Sequence, residues 1–199
     1  MIPLVLVVDD GSPDETARLA AKAGADVLRQ AENRGKGAAL RKGLQAAFDA
    51  GCEYAITMDG DGQHDPADLA QFVAAADGGE VDLVVGNRMA APQSMPWLRR
   101  WVNRWMSRRI SRLAGRPLPD TQCGYRLVRL SAWRELQLQT TGFEVESEML
   151  LSFVAAGLRV EFVPVRTIYK TEQSKIHPVR DTIRWFRWWR QVKQSRRRG

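Results

Sequence analysis

Cysteine and histidine are scarce, with two of each in 199 residues. Cys52 and Cys123 lie far apart and outside any C-x-x-C. That argues against a disulfide framework or a thiolate zinc cluster, and fits a reducing compartment. His64 and His177 are too separated to build a histidine metal site. No apolar run is long enough to span a bilayer. The start "MIPLVLVVDD" lacks a basic segment and reaches charge too soon for a secretory leader. Neither an internal repeat nor a linker rich in Gly, Ser or Pro interrupts the chain, so one domain over residues 1–199 is expected. Acid is missing from one long stretch: Leu83 to Pro119 holds eight arginines and no carboxylate.

What is present is ordinary in hydrophobicity (44%) and in charged residues (27%), as in a globular protein. The balance of charge is less ordinary. A net +7 and a pI of 9.9 favour an anionic partner: nucleic acid, an acidic membrane surface or a phosphorylated substrate.

Strand and helix signals alternate along the first half. "LVLVV" (residues 4–8) reads as a strand buried on both faces. "DDGSPDET" follows, with Ser12 as N-cap, Pro13 at the first helical position and Glu15 completing a capping box, and the helix stops at Gly24. "DVLRQ" is a second strand. The loop "ENRGKG" leads into a helix that ends at Gly51. "CEYAITMD" is a third strand, Asp65-Pro66 opens a helix to about Ala75, and "VDLVVGNR" is a fourth strand. "DTQCGYRLVRL" and "LRVEFVPV" add strand character later, with "FEVESEMLLSFVAAG" as a helix between them. This order predicts an α/β layered sheet with ligands beyond the carboxyl ends of its strands.

At one such end stands "MDGDGQHDP". Asp59 and Asp61 flank a glycine where strand becomes loop. Hard divalent cations take oxygen ligands, and magnesium typically binds through one or two carboxylates plus substrate phosphates. The pair can aim both side chains at one ion, and Gln63 can add a neutral carbonyl oxygen. The bound metal would then neutralise a diphosphate. Asp65 reads as the cap of the helix that opens at Pro66. "NRGKG" lacks the spacing of a P-loop and reads as a turn plus helix start.

"VVDDGSPDET", "NRGKGAALRKGL", "MDGDGQHDP", "VVGNR", "DTQCGYRL" and "QSK" occur in this order over nearly the whole chain. Together they resemble an inverting family 2 glycosyltransferase of GT-A fold, and within it the dolichyl- and polyprenyl-phosphate sugar synthases. The resemblance implies a Rossmann-like sheet with helices on both faces and a nucleotide-diphosphate sugar as donor. Asp10 would reach the nucleotide base or ribose, although Asp9 and Asp10 can equally form a plain turn. Asp59, Asp61 and Gln63 would hold Mg2+ or Mn2+ and the donor diphosphate. Arg88 would face the substrate phosphates, Arg126 of "CGYR" would lie near the acceptor, and Lys175 would belong to a loop closing on the donor. The family's opening strand with its "P-x-Y-N-E" loop has no counterpart in these residues, so the base pocket is expected to be built differently or to be incomplete.

Inverting transfer is an in-line displacement at the anomeric carbon. A hydroxyl acceptor wants a carboxylate base, and Glu144, Glu146 and Glu148 are the candidates, Glu146 foremost. A lipid phosphate is already anionic and needs none; arginines would orient it instead. The glutamates can also be a solvated helix start.

Two basic stretches bear on the acceptor. In "MPWLRRWVNRWMSRRISRLAG", Trp97, Trp101 and Trp105 fall on one helical stripe. The tail, at about 178–195, is a second basic amphipathic helix with Trp185, Phe186 and Trp189. Such helices suit an anionic membrane surface, which implies a protein in the cytoplasm attached peripherally to the inner face of the membrane. Alternatively, the aromatic residues pack on the core. Arginine with interleaved aromatics can also grip a nucleic acid, but no reading motif accompanies it and no nucleic acid is expected. A non-catalytic module derived from the same family is the remaining alternative.

Overall fold

The computed structural model describes residues 4–90, 95–168 and 178–198. Six strands and seven α-helices alternate as expected: β1 (Leu6–Asp9), α1 (Thr16–Lys22), β2 (Asp26–Arg29), α2 (Lys36–Asp49), β3 (Tyr54–Thr57), α3 (Leu69–Ala76), β4 (Leu83–Asn87), α4 (Trp97–Ala114), β5 (Arg126–Arg129), α5 (Leu130–Arg134), α6 (Val145–Ala155), β6 (Val160–Pro164) and α7 (Pro178–Arg198). A short 3-10 turn, Pro66–Asp68, precedes α3, and the Asp65 side chain caps it by accepting from the Ala67 N–H.

Two expectations fail locally. The first helix starts at Thr16, not at Pro13, and no side chain caps it. Ser12 instead gives its N–H to Asp9 Oδ1 at 2.9 Å, a turn that competes with helix initiation. The "LVLVV" strand is not buried on both faces: Leu4 and Val5 are exposed and Leu6 to Val8 only half-buried. Its one partner among the described residues is β2, with which it forms a separate two-stranded parallel sheet.

The other four strands form one mixed sheet in the order β3-β5-β4-β6. Strand β5 is antiparallel to both β3 and β4, and β6 is parallel to β4. Hence β3, β4 and β6 all point the same way, and their carboxyl ends share one edge with the start of β5. Leu83, Val84 and Val85 of the inner strand β4 are fully buried, as is Phe72 of α3 and Met149, Leu150 and Phe153 of α6. A continuous apolar run on an inner strand is the sequence form of that position.

The basic helices divide their aromatic residues. Trp97 and Trp101 are 79% and 61% exposed, with Leu98 between them also exposed. Trp105, on the same stripe, instead packs against Trp185 and Phe186 of α7, with ring centroids 5.8 and 6.3 Å apart. Trp185 and Trp189 are buried in the core, and the Trp185 indole N–H donates to Ser147 Oγ of α6 at 2.9 Å. So α7 is a structural wall, and among the described residues of these two helices it is the first turns of α4 that leave large aromatic side chains open.

Trp185→Ala is therefore expected to destabilise the protein by about 3–5 kcal/mol, whereas Trp97→Ala changes stability by about 0.5 kcal/mol or less. Thermal and urea denaturation of the two variants beside the parent checks both.

Candidate active site

At the common edge, β3 runs out through Thr57 into Met58 and Asp59. The register Thr57↔Arg126 and Val85↔Arg126 sets the start of β5 between the ends of β3 and β4. Thr57 Oγ1 donates to the Gly124 carbonyl at 2.8 Å, drawing the segment before β5 across the end of β3. A Cβ at position 124 would stand 2.8 Å from Asp59 Oδ2, so only glycine leaves that carboxylate its place.

Asp59 does not stand alone. Lys36 Nζ lies 2.6 Å from Asp59 Oδ1 and 2.5 Å from Glu146 Oε1. His64 Nε2 approaches the other Asp59 oxygen at 3.6 Å. The three charges come from three elements: the loop after β3, the first residue of α2 and the first turn of α6. What brings α2 and α6 together is a close backbone contact. The Gly37 N–H donates to the Thr141 carbonyl at 2.8 Å, and a Cβ on Gly37 would collide with the Thr140 carbonyl oxygen.

Electrostatics follow from this geometry. Burial pushes the Lys36 ammonium toward neutrality, but Glu146 and Asp59 overcome that and hold its pKa above the ordinary lysine range. Burial would raise Asp59; the Lys36 charge, with hydrogen bonds from His64 and Lys36, instead holds it well below the usual carboxylate range. Glu146 is buried, and Lys36 is its only ion-pair partner among the described residues. Burial pushes the Cys123 thiol, behind the site, up to about 11.

The three candidate glutamates separate cleanly. Glu144 pairs with Arg184 of α7 at 2.8 Å. Glu148 accepts from the Gln139 and Thr140 backbone N–H groups, each at 2.9 Å. Glu146 alone turns to the Asp59 end of the sheet. Asp61 is exposed, accepts from the Gln63 N–H at 3.0 Å, and makes no ion pair among the described residues. Gln63 Oε1 accepts from Arg99 Nη1 of α4 at 3.3 Å.

The remaining sequence-predicted residues are engaged nearby. Asp10 accepts from Gln30 Nε2 and from the Arg34 and Gly35 N–H groups at 2.6, 2.8 and 2.8 Å, pinning the loop that leads to Lys36. Arg88 forms a two-pronged pair with the buried Asp120, at 2.8 and 2.9 Å. Burial acts to raise the Asp120 carboxyl, yet Arg88 beside it holds it low. Arg126 is fully buried and donates to the carbonyls of Cys123, Glu146 and Thr121, so it braces the loop before β5 and the start of α6 and faces no open surface. Lys175 lies outside the described residues.

Asp59, Asp61 and Gln63 carry two carboxylates and an amide carbonyl, the hard oxygen types that Mg2+ and Mn2+ take, with the Asp59 oxygens facing Lys36 and His64 and the Gln63 oxygen facing Arg99. Among the described residues no three His, Cys, Asp or Glu side chains cluster as a metal cage. The unneutralised Asp61 is the member of the set that most invites a cation.

Residues 4–137 match glycosyl transferase family 2. The chain belongs to that family. It is 30% identical over 192 residues to a UDP-N-acetylglucosamine–dolichyl-phosphate N-acetylglucosaminyltransferase of Methanococcus voltae, covering 85% of this chain and 76% of that protein. It is also 30% identical over 172 residues to an undecaprenyl-phosphate mannosyltransferase of Micrococcus luteus, covering 81% and 70%. Among solved structures, glucosyl-3-phosphoglycerate synthase of Mycobacterium tuberculosis, in complex with Mn2+, UDP and phosphoglyceric acid, superposes with a TM-score of 0.71 at 17% identity, over 98% of this chain and 68% of that one. The fold is therefore the layered GT-A type anticipated above.

Sequence reasoning missed Lys36 in this family 2 glycosyltransferase. "NRGKG" reads as a plain helix start, but a lysine at the first position of a helix opposes the helix dipole. That misplacement is the signal: such a lysine needs carboxylates from elsewhere in the fold.

Lys36→Met leaves Glu146 buried without a counter-charge, which is expected to cost about 3–5 kcal/mol near neutral pH. The Asp59 contribution to stability is present above its unfolded pKa of about 3.9 and is lost as pH falls through its depressed folded value. The gap between parent and variant should hold from pH 7 to about pH 4 and narrow below that in urea denaturation, and a constant gap there would contradict the assigned Lys36–Asp59 pairing.

Proposed function

We propose that this glycosyltransferase moves a sugar from a nucleoside-diphosphate donor to a lipid-linked phosphate acceptor, with inversion at the anomeric carbon and with Mg2+ or Mn2+ bound. The observation that carries the choice of acceptor is Lys36 on Glu146. A hydroxyl nucleophile needs a base that can take its proton. Glu144 and Glu148 are spent on structural contacts, and Glu146 is already neutralised by an ammonium. A phosphate oxygen is anionic beforehand and needs no such base. The two relatives, which act on dolichyl phosphate and undecaprenyl phosphate, support the same reading.

In the proposed reaction an acceptor phosphate oxygen forms the new bond to the anomeric carbon as the bond from that carbon to the donor diphosphate breaks. The nucleoside diphosphate leaves with the bonding pair. Asp61, Asp59 and Gln63 would hold the divalent cation, which would supply charge neutralisation of the donor diphosphate. Lys36 adds a fixed positive charge beside it, where charge grows on the leaving group. Glu146 positions that ammonium. Asp10 fixes the loop that carries it, and Asp120 fixes the direction of Arg88. Lys175 joins the donor side only as an expectation from the family motif.

The acceptor assignment is tested by offering a polyprenyl phosphate and the matching polyprenol with a panel of UDP- and GDP-sugars. Product on the phosphate alone is expected, with the anomeric configuration inverted by NMR. Product on the alcohol would overturn it.

Asp61→Asn should leave folding intact, because the side chain is exposed, and should weaken metal-dependent donor binding by about 10–100-fold. Calorimetry with and without chelator reads this directly; unchanged metal-dependent binding would remove Asp61 from the site.

The exposed Trp97, Leu98 and Trp101 at the start of α4 suit insertion at a lipid interface, and no helix among the described residues is long and apolar enough to cross a membrane. Replacing Trp97 and Trp101 by alanine together should weaken co-sedimentation with anionic vesicles while the melting temperature stays within about 2–4 °C of the parent. Equal sedimentation of parent and variant would discard the interface.

A further inference from the structure

Helix α4 carries six arginines and no acid. Helix α7 carries seven arginines and Lys193 against Asp181 alone. Together they hold +13 (+6 and +7) in a chain of net +7, so the rest of the molecule is −6. Between these helices lies a groove of about 380 Å³ lined by Arg109, Phe186, Trp189, Arg190, Lys193 and Gln194. That volume falls within the range of small-ligand sites.

The cations of this groove are held by aromatic faces. The Arg109 guanidinium stands over Trp105 at 4.9 Å and over Trp189 at 5.1 Å. Arg190 lies over Phe186 at 4.5 Å, and Lys193 over Trp189 at 5.2 Å. A ring face fixes where a cation sits but accepts none of its N–H groups in the strong directions used by an anion. Among the described residues none of the three makes an ion pair with a carboxylate. Three like charges gathered on prepared platforms repel one another, so the arrangement is poor for stability alone. It is a good receptor for an anion with several oxygens: guanidinium groups give paired donors, and lysine adds a point charge.

We propose that the groove between α4 and α7 is a binding site for a phosphoryl group, separate from the reaction centre. Its separation follows from helix geometry. Arg99 touches Gln63 at the mouth, and Arg109 is ten residues further along α4, about 15 Å away at 1.5 Å per residue. The phosphoryl group can belong to a lipid headgroup or to a soluble phosphate, and two arms of one experiment distinguish them.

In the first arm, inorganic pyrophosphate is titrated into the full chain while the Trp189 indole resonance is followed by NMR. In the second, co-sedimentation is measured with vesicles of phosphatidic acid and with phosphatidylserine vesicles matched in surface charge. Each arm is run on the parent, on Arg190→Gln with Lys193→Gln, and on Arg108→Gln with Arg112→Gln, which removes equal charge from exposed positions of α4 outside the groove. Arg190 is exposed and Lys193 half-exposed, so folding should survive, and melting curves of all three confirm that the comparison is made on folded protein. Saturable binding in either arm, weakened about tenfold in the groove variant relative to the control variant, supports the site; a pyrophosphate response names the soluble source and a phosphatidic acid preference the headgroup. Equal weakening in both variants, or no response in either arm, overturns it. Neither arm uses donor, metal or transfer, so its failure leaves the proposed reaction untouched, and the reverse.

Discussion

The fold closes its active end on one ammonium group. Lys36 sits between Asp59 at 2.6 Å and Glu146 at 2.5 Å, and without it two carboxylates would face each other in a partly buried place. Most of the surrounding structure can be read as the means of delivering that lysine. Asp10 pins the loop before it. Gly37 lets α2 come against residues 140–141. Arg126 accepts full burial to hold the Glu146 carbonyl, and Gly124 clears space for Asp59. Buried ion pairs rarely gain stability over a well-packed apolar core. Their retention at a strand end, beside an exposed Asp61, is better explained by chemistry than by folding.

Much of this was legible in the sequence. Strand and helix order followed from apolar runs and their punctuation, and the carboxylate pair stood out because two aspartates flanking a glycine at a strand end suit a hard cation. Asp65 as a cap was read correctly, because a short polar side chain before proline suits that position. The rest depended on tertiary contacts that local patterns cannot encode. Nothing near "NRGKG" announces a glutamate more than a hundred residues away. Three glutamates at alternate positions look alike until Arg184 claims one and the 139–140 backbone another. Arg126 reads as a substrate arginine by motif, yet its donors are taken by three carbonyls.

The aromatic stripes show the limit of periodicity in another way. Trp97, Trp101 and Trp105 share one helical stripe, but a stripe does not say where its covering partner ends. Helix α7 covers Trp105 and stops short of the other two. The hydrogen bond from Trp185 to Ser147 then ties that cover to α6, the helix that carries Glu146.

The uneven charge of the molecule gives it a large permanent dipole, with +13 on the α4–α7 side and −6 elsewhere. A dipole in the field of a negatively charged plane feels a torque before it feels contact, and within about 8 Å at physiological ionic strength that torque selects one attitude of approach. Because Arg99 at the head of α4 is bonded to Gln63, the Asp59–Asp61 mouth is fixed to the basic side and turns with it. Orientation and access are thereby one variable: raising the salt concentration would loosen the angle at which the mouth meets a charged surface as well as the strength with which the protein is held there.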